Sequence, residues 1–207
     1  MGTKKKSVEE RREEIVQAML ALLQEQGQSG LTVSAVARRI GLVPSAIYRH
    51  FRNRDAMVEG VVKYIASQLA DNVVRTGSGR GSSEVRLRRL LDRHVALIRS
   101  NPGMLRIVFS EELFGGTPQR RALLYKLIQG YLASVAEIVR AGQAAGEFSR
   151  SAAPEDAAVY FLGIIQPLAV VWHLSDGRVN ITRLADRNWK LFCAALVCEP
   201  VSGKKGG

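Results

Sequence analysis

TVSAVARRIGLVPSAIYRHF, residues Thr32 to Phe51, carries two short apolar stripes on either side of Gly41. Thr32 is placed to cap a first helix in which Val33, Val36, Ala37 and Ile40 fall on one face. Gly41 supplies a left-handed stop without a Cβ penalty. Pro44, favoured in a first helical turn, restarts the chain. In the second helix Leu42, Ile47 and Phe51 turn to the core, leaving Ser45, Ala46, Tyr48, Arg49 and His50 for other surfaces. Two short helices joined by a tight glycine-containing turn make a helix-turn-helix, whose second helix enters a major groove by its early residues and meets phosphates by its later ones.

The chemistry of that second helix suits DNA. Small side chains at Ser45 and Ala46 let the backbone approach base edges, and Arg49 is within reach of a guanine or a phosphate oxygen. Tyr48 has a hydroxyl to donate to a phosphate. Arg52 and Arg54 extend the basic edge toward the next helix, whose N-terminal amides also favour a phosphate. Ser34, Val43, Pro44 and His50 complete the candidate DNA-binding set with Thr32, Ser45, Ala46, Tyr48, Arg49 and Arg54. A solvated basic surface is the competing reading of any one of these residues.

Upstream, Ser7 to Gln26 puts Ile15, Met19, Leu22 and Leu23 on one stripe and charged residues from Glu9 to Glu14 on the other, as expected of a brace. Extended by one residue before and four after, the segment Leu31–Asp55 resembles the N-terminal signature of the tetracycline-repressor (TetR) family. The resemblance implies phosphate contacts for Thr32, Tyr48 and Arg54. It also implies homodimers joined mainly by the last two long helices, and often a small-molecule pocket in the C-terminal domain. Two positions depart from the family pattern: Val43 stands where serine is frequent, so no side chain caps the recognition helix, and Ser45 stands where glycine is usual.

Around this segment the 207-residue chain is long enough to bury a sizeable core. Thirty Lys and Arg against nineteen Asp and Glu give a formal charge of +11, which favours a polyanionic partner. Apolar residues recur at helical spacing almost throughout, so the expected fold class is all-α. Breaks at Gly, Pro, Ser and Asn clusters leave about nine helices. The expected domains are a helix-turn-helix domain over residues 1–52 and a helical effector-binding and dimerisation domain over 53–207, with 53–76 as the connecting helix. The basic tails, Lys4-Lys5-Lys6 and the terminal Gly203 to Gly207, read as solvated. The charged start of the sequence, Met1 to Lys6 and beyond, is not expected to act as a secretory signal.

Farther on, Val85, Leu87, Leu90, Leu91, Val95 and Ile98 stripe one helix, and Leu123, Leu127, Tyr131, Val135 and Ile138 stripe another. The run Ala157–Trp172 is almost unbroken apolar sequence but falls short of the roughly 20 residues that a bilayer crossing requires. It reads instead as a helix packed on both sides, one face on the domain core and one on a second subunit. The expected dimer contacts are Phe161, Ile165, Leu168 and Trp172, with Leu184, Leu191, Phe192 and Ala195 as companions. Pro167 releases the carbonyl of Gly163 and is expected to turn Gln166 inward. Gln166, with His94, Met104, Phe109, Tyr125, Phe161 and Trp172, is a candidate for the wall of an effector pocket; ordinary core packing is the competing reading.

Enzyme chemistry finds little footing. Glu111-Glu112 are adjacent on a helix and point about 100° apart, which does not make a matched acid and base. No nucleophile elbow, phosphate-binding glycine loop or zinc-binding motif occurs. Cys193 and Cys198 lack the spacing of a metal site and read as thiols in a reducing cytoplasm. No enzyme activity, metal or cofactor is expected. The leading function is a cytoplasmic, ligand-released repressor acting on operator DNA, with no membrane partner. A DNA-bound adaptor governed by a protein partner, or by no ligand, is the second. A helical enzyme or lipid carrier with an incidental basic surface is the third.

Overall fold

A computed structural model describes residues 6–27, 29–77, 81–110 and 117–197. Among them there are nine helices and no strand. They are α1 (Val8–Gln26), α2 (Val33–Arg39), α3 (Pro44–Tyr48), α4 (Arg54–Gly77), α5 (Ser83–Ser100), α6 (Pro102–Val108), α7 (Pro118–Ala144), α8 (Pro154–Leu174) and α9 (Ile181–Val197). The Glu111-Glu112 pair, Cys198 and both basic tails save Lys6 lie outside the described residues.

The chain divides into two compact units, Met1–Gln68 with Ser100–Tyr125, and Leu69–Arg99 with Lys126–Gly207. Helices α4 and α7 each continue from one unit into the other. The first unit is built on α1, which opens with a capping box: Ser7 Oγ accepts from the Glu10 amide while the Glu10 carboxylate accepts from the Ser7 amide. Its buried stripe of Ile15, Val16, Met19, Leu22 and Leu23 packs against α2 and α6. The α6 contact is close. A Cβ on Gly103 would come within 2.0 Å of the Leu20 carbonyl oxygen, so only glycine lets α6 lie on the α1 backbone.

In the second unit α8 and α9 pack along their lengths. The buried face of α8 is Ala157, Ala158, Phe161, Ile164, Ile165, Leu168 and Ala169, and that of α9 is Ile181, Ala185, Trp189, Phe192 and Leu196. Phe192 centres the contact, edge-on to Phe161 at 5.6 Å and stacked on Trp189 at 5.5 Å. Helix α5 is fixed at its start by Glu147, whose carboxylate accepts from the Ser83 amide at 2.5 Å. At its middle, Arg88 pairs with Asp92 and with Asp186 of α9.

The helix expected at Ala157–Trp172 is longer than that run, because Pro154 starts it and Glu155 and Asp156 complement the dipole of its first turn. It runs through Pro167 to Leu174. Both α7 and α8 are long and apolar enough to cross a membrane by length and composition. Each also carries a buried stripe in this fold.

Replacing Gly103 by alanine is expected to push α6 off α1 and cost on the order of 1–3 kcal/mol of stability, read as a lowered urea midpoint. An unchanged midpoint would show that the contact yields without strain.

Candidate DNA-binding site

Within the first unit the helix-turn-helix forms as its residues dictate. Thr32 Oγ1 accepts from the Ala35 amide at 3.1 Å and starts α2. Gly41 stops it at φ +68°, with the Leu42 amide donating to the Ala37 carbonyl and the Gly41 amide to that of Arg38. Pro44 opens α3, and Val43 at its N-cap supplies no side-chain hydrogen bond. The α3 helix is only five residues long. Ile47, fully buried, and Phe51 hold it down.

What remains outward is a continuous polar and basic edge. Thr32, Ser34, Val43, Pro44, Ser45, Tyr48, Arg49, Arg52 and Arg54 are exposed. Val43 and Tyr48 are 62% and 52% accessible, so both side chains stand clear of the core on this edge. Ala46 and His50 are half-buried. His50 thus departs from the expected outward ridge: its Nδ1 is enclosed without a hydrogen-bond partner, because the chain turns inward there to bury Phe51.

Two residues of this site escaped the sequence. Arg12, read as part of a solvated face of α1, donates to the His50 carbonyl at 3.1 Å and lies 5.5 Å over the Phe51 ring. It closes the end of α3 from 38 residues away, a pairing no local pattern announces. Asn53 caps α4, its Oδ1 accepting from the Ala56 amide at 2.9 Å. That cap was legible, since Asn two residues before Asp55 is a helix-start pattern. A groove of about 670 Å³ opens between α1, residues 48–53 and α4. Glu9, Glu13 and Glu59 share its lining with Arg12, Arg49, Arg52 and Lys63, so it does not form a single-sign anion cradle.

The candidate pocket residues separate between the two units. Met104, Phe109 and Tyr125 belong to the first, where Met104 is buried and Phe109 and Tyr125 are exposed. His94, Phe161, Gln166 and Trp172 belong to the second. Gln166 corrects the sequence expectation: it is exposed on α8, because the helix continues through Pro167 without turning that face inward. His94 retains some accessible surface, with Nδ1 3.2 Å from the Tyr131 hydroxyl and the rings edge-on at 5.7 Å. Desolvation pushes His94 down to about 4 and the Tyr131 hydroxyl upward, so both are neutral near pH 7. Burial and the neighbouring Glu84 push the Cys193 thiol up to about 11, disfavouring its reactive thiolate.

The expected dimer stripe is corrected at four of its eight residues. Phe161, Ile165, Leu168 and Phe192 are all but fully buried against this chain's own helices and cannot meet a partner. Trp172 and Leu184 are half-buried, while Leu191 and Ala195 are exposed. The unpartnered face of α8 is instead Val159, Tyr160, Gly163, Gln166, Pro167, Val170, Val171 and Leu174, with Leu174 77% accessible. A helix apolar all round hides which of its faces is the inner one, and so the sequence did not separate the buried Phe161, Ile165 and Leu168 from the residues left outside.

An all-helical chain that presents a basic helix-turn-helix from a braced head has the architecture of a DNA-binding regulator. Residues 15–61 match the model of bacterial regulatory proteins of the tetR family, and residues 80–196 match the tetracyclin repressor-like C-terminal domain. The second match alone spans more than half of the chain, which belongs to the TetR family of bacterial regulatory proteins. The nucleoid occlusion factor SlmA of Vibrio cholerae serotype O1 is 26% identical over 187 residues, 90% of this chain and 95% of the relative. SlmA of Vibrio campbellii is 26% identical over 94% of this chain and 98% of its own length. Among solved structures, the fatty acid degradation regulator FadR from Bacillus halodurans superposes with a TM-score of 0.78 at 20% identity, covering 92% of this chain and 97% of that one. FadR from Bacillus subtilis in complex with stearoyl-CoA gives 0.77 at 20% identity over 89% and 98%. These structures share the fold.

His94 gives the second unit a pH dependence. Its folded pKa lies below the unfolded value, so the unfolded chain binds the extra proton and stability falls as pH drops from about 6.5 toward 4. The loss amounts to at most about 3 kcal/mol, less as far as water reaches the ring. Chemical denaturation between pH 7 and 4 is expected to show it and His94→Phe to flatten it; an equal slope in the variant would refute the assignment.

Proposed function

We propose that the chain is a cytoplasmic homodimeric repressor that binds a pseudo-palindromic operator through α2 and α3 and is released by a small molecule acting on residues 53–207. The observation that carries the reading is the edge from Thr32 to Arg54, which keeps Tyr48 and Arg49 outward while Ile47 and Phe51 are buried. On this reading Pro44, Ser45 and Ala46 face the major groove and Arg49 meets a base or phosphate. Thr32, Ser34, Tyr48 and Arg54 meet phosphates, and Val43 packs against the sugar-phosphate wall. His50 acts by shaping the end of α3.

Pairing is assigned to the outer face of α8 from Val159 to Leu174, joined by Leu191 and Ala195. Covering such a face recovers about 25 cal/mol per Å² of apolar area removed from water. It also sets two heads about 34 Å apart, one turn of DNA. For the effector, the neutral His94–Tyr131 pair offers a hydrogen-bonding group in an apolar setting, as small-molecule sites require. The resemblance in fold to a FadR carrying stearoyl-CoA supports a ligand with a long acyl chain.

One observation favours a second reading. The similar nucleoid occlusion factors match over nearly their whole length, including the C-terminal part, which supports as the alternative a DNA-bound adaptor governed by a protein partner or by no ligand.

Selection of bound sequences from random duplexes is expected to return an inverted repeat whose affinity falls steeply with salt, through release of phosphate counterions. Tyr48→Ala with Arg49→Ala should abolish the preference for that sequence, whereas affinity indifferent to salt would defeat the proposal. Separately, Val170→Glu in the exposed face of α8 should convert the dimer to a monomer by sedimentation; a variant that stays dimeric places the interface elsewhere.

A further inference from the structure

Arg120 is the one charged side chain among the described residues that is buried, at 3% accessibility. It sits in the first turn of α7, where Thr117 Oγ1 accepts from its amide. Its Nη2 donates to Asp55 Oδ1 at 2.7 Å. Burying a guanidinium is expensive even when it is paired, and an apolar side chain of the same length would stabilise as well. What the pair supplies is a link between the start of α7 and Asp55.

Asp55 lies in the first turn of α4, beside Arg54 and two residues after the Asn53 cap. The ion pair therefore ties the start of α7 to the short stretch that leads out of α3 and carries the basic edge. Residues Ser100–Tyr125 fall within the C-terminal family match and yet pack with the first unit. They hold it at a second point as well, where Gly103 lies on the Leu20 carbonyl. From Tyr125 onward the same helix continues without interruption into the second unit as far as Ala144.

We infer that Arg120 and Asp55 are positioning residues for operator binding: through their ion pair α7 sets where the start of α4, and with it Arg54, stands for the DNA. This inference rests on the DNA-binding reading above. It makes α7 the element through which the state of residues 126–144 reaches the DNA-contacting edge. By reciprocity, occupation of that edge by DNA must be felt along α7.

The test uses the full chain, the duplex recovered by selection, and amide hydrogen exchange with and without that duplex. In the wild type, the duplex is expected to slow exchange several-fold in α7, including residues 126–144. Arg120→Met leaves the exposed Asp55 in water and keeps the Thr117 cap, which takes the backbone amide of residue 120. It should still bind the duplex, about tenfold more weakly, and lose the protection beyond Tyr125. Asp55→Ala, at a side chain 64% accessible, removes the acceptor, should likewise lose the protection beyond Tyr125, and serves in its place if the methionine variant does not fold. Protection of 126–144 that survives in either folded variant would reduce the pair to a local clamp and overturn the inference, as would a wild type with no change in α7 on binding. A wild type that binds no duplex at all would instead overturn the DNA-binding reading and take the inference with it.

Discussion

A helix of five residues does not hold its shape in water, since nucleation costs more than so few hydrogen bonds return. Everything assigned to α3 depends on how it is held from outside itself. Ile47 and Phe51 are drawn into the core, the Phe51 ring seated so close to Gly60 of α4 that a Cβ there would lie 2.5 Å away. Gly41 and Pro44 fix the chain on its entry, and Arg12 covers it on its exit. Anchored on one side only, the helix keeps Ser45, Tyr48 and Arg49 in solvent with a defined orientation. That is the condition for reading a groove without paying to order the reader at each encounter.

Val43 shows the same logic from the opposite direction. A serine or threonine at this N-cap would supply an intrinsic bond worth on the order of 1 kcal/mol. Without it, α3 leans on packing, and the 62% accessible Val43 side chain is left as an apolar contact for whatever lies over the helix. The second unit manages its apolar surplus differently. Phe192 gathers Phe161 and Trp189 into an internal aromatic contact, and the outer face of α8 is left over.

The sequence disclosed what depends on neighbours along the chain. Thr32, Gly41 and Pro44 announce their roles through side-chain chemistry and backbone preference, and the structure realises each one. The all-α class follows from apolar spacing in the same way. What stayed hidden depends on residues distant in sequence. The Arg12 guanidinium donates to the carbonyl of His50, and Arg120 donates to Asp55, 65 residues away. The inner face of α8 was hidden for a further reason. Where Val, Ile, Leu, Tyr and Phe occupy every side of a helix, periodicity carries no phase, and only the packing of α9 decides that Phe161 and Ile165 point inward. Gln166 was misplaced with that phase.

The central claim is geometric: two copies of one braced, outward-facing α3 meet the same face of a duplex. Hydroxyl-radical footprinting of the selected duplex measures this directly. Two protected patches related by a dyad and spaced by about one helical turn, 10 to 10.5 base pairs, are the predicted result. A single unpaired patch, or protection that is the same with Ser45 and Tyr48 of α3 and the adjoining Arg49 all replaced by glutamate, would contradict it.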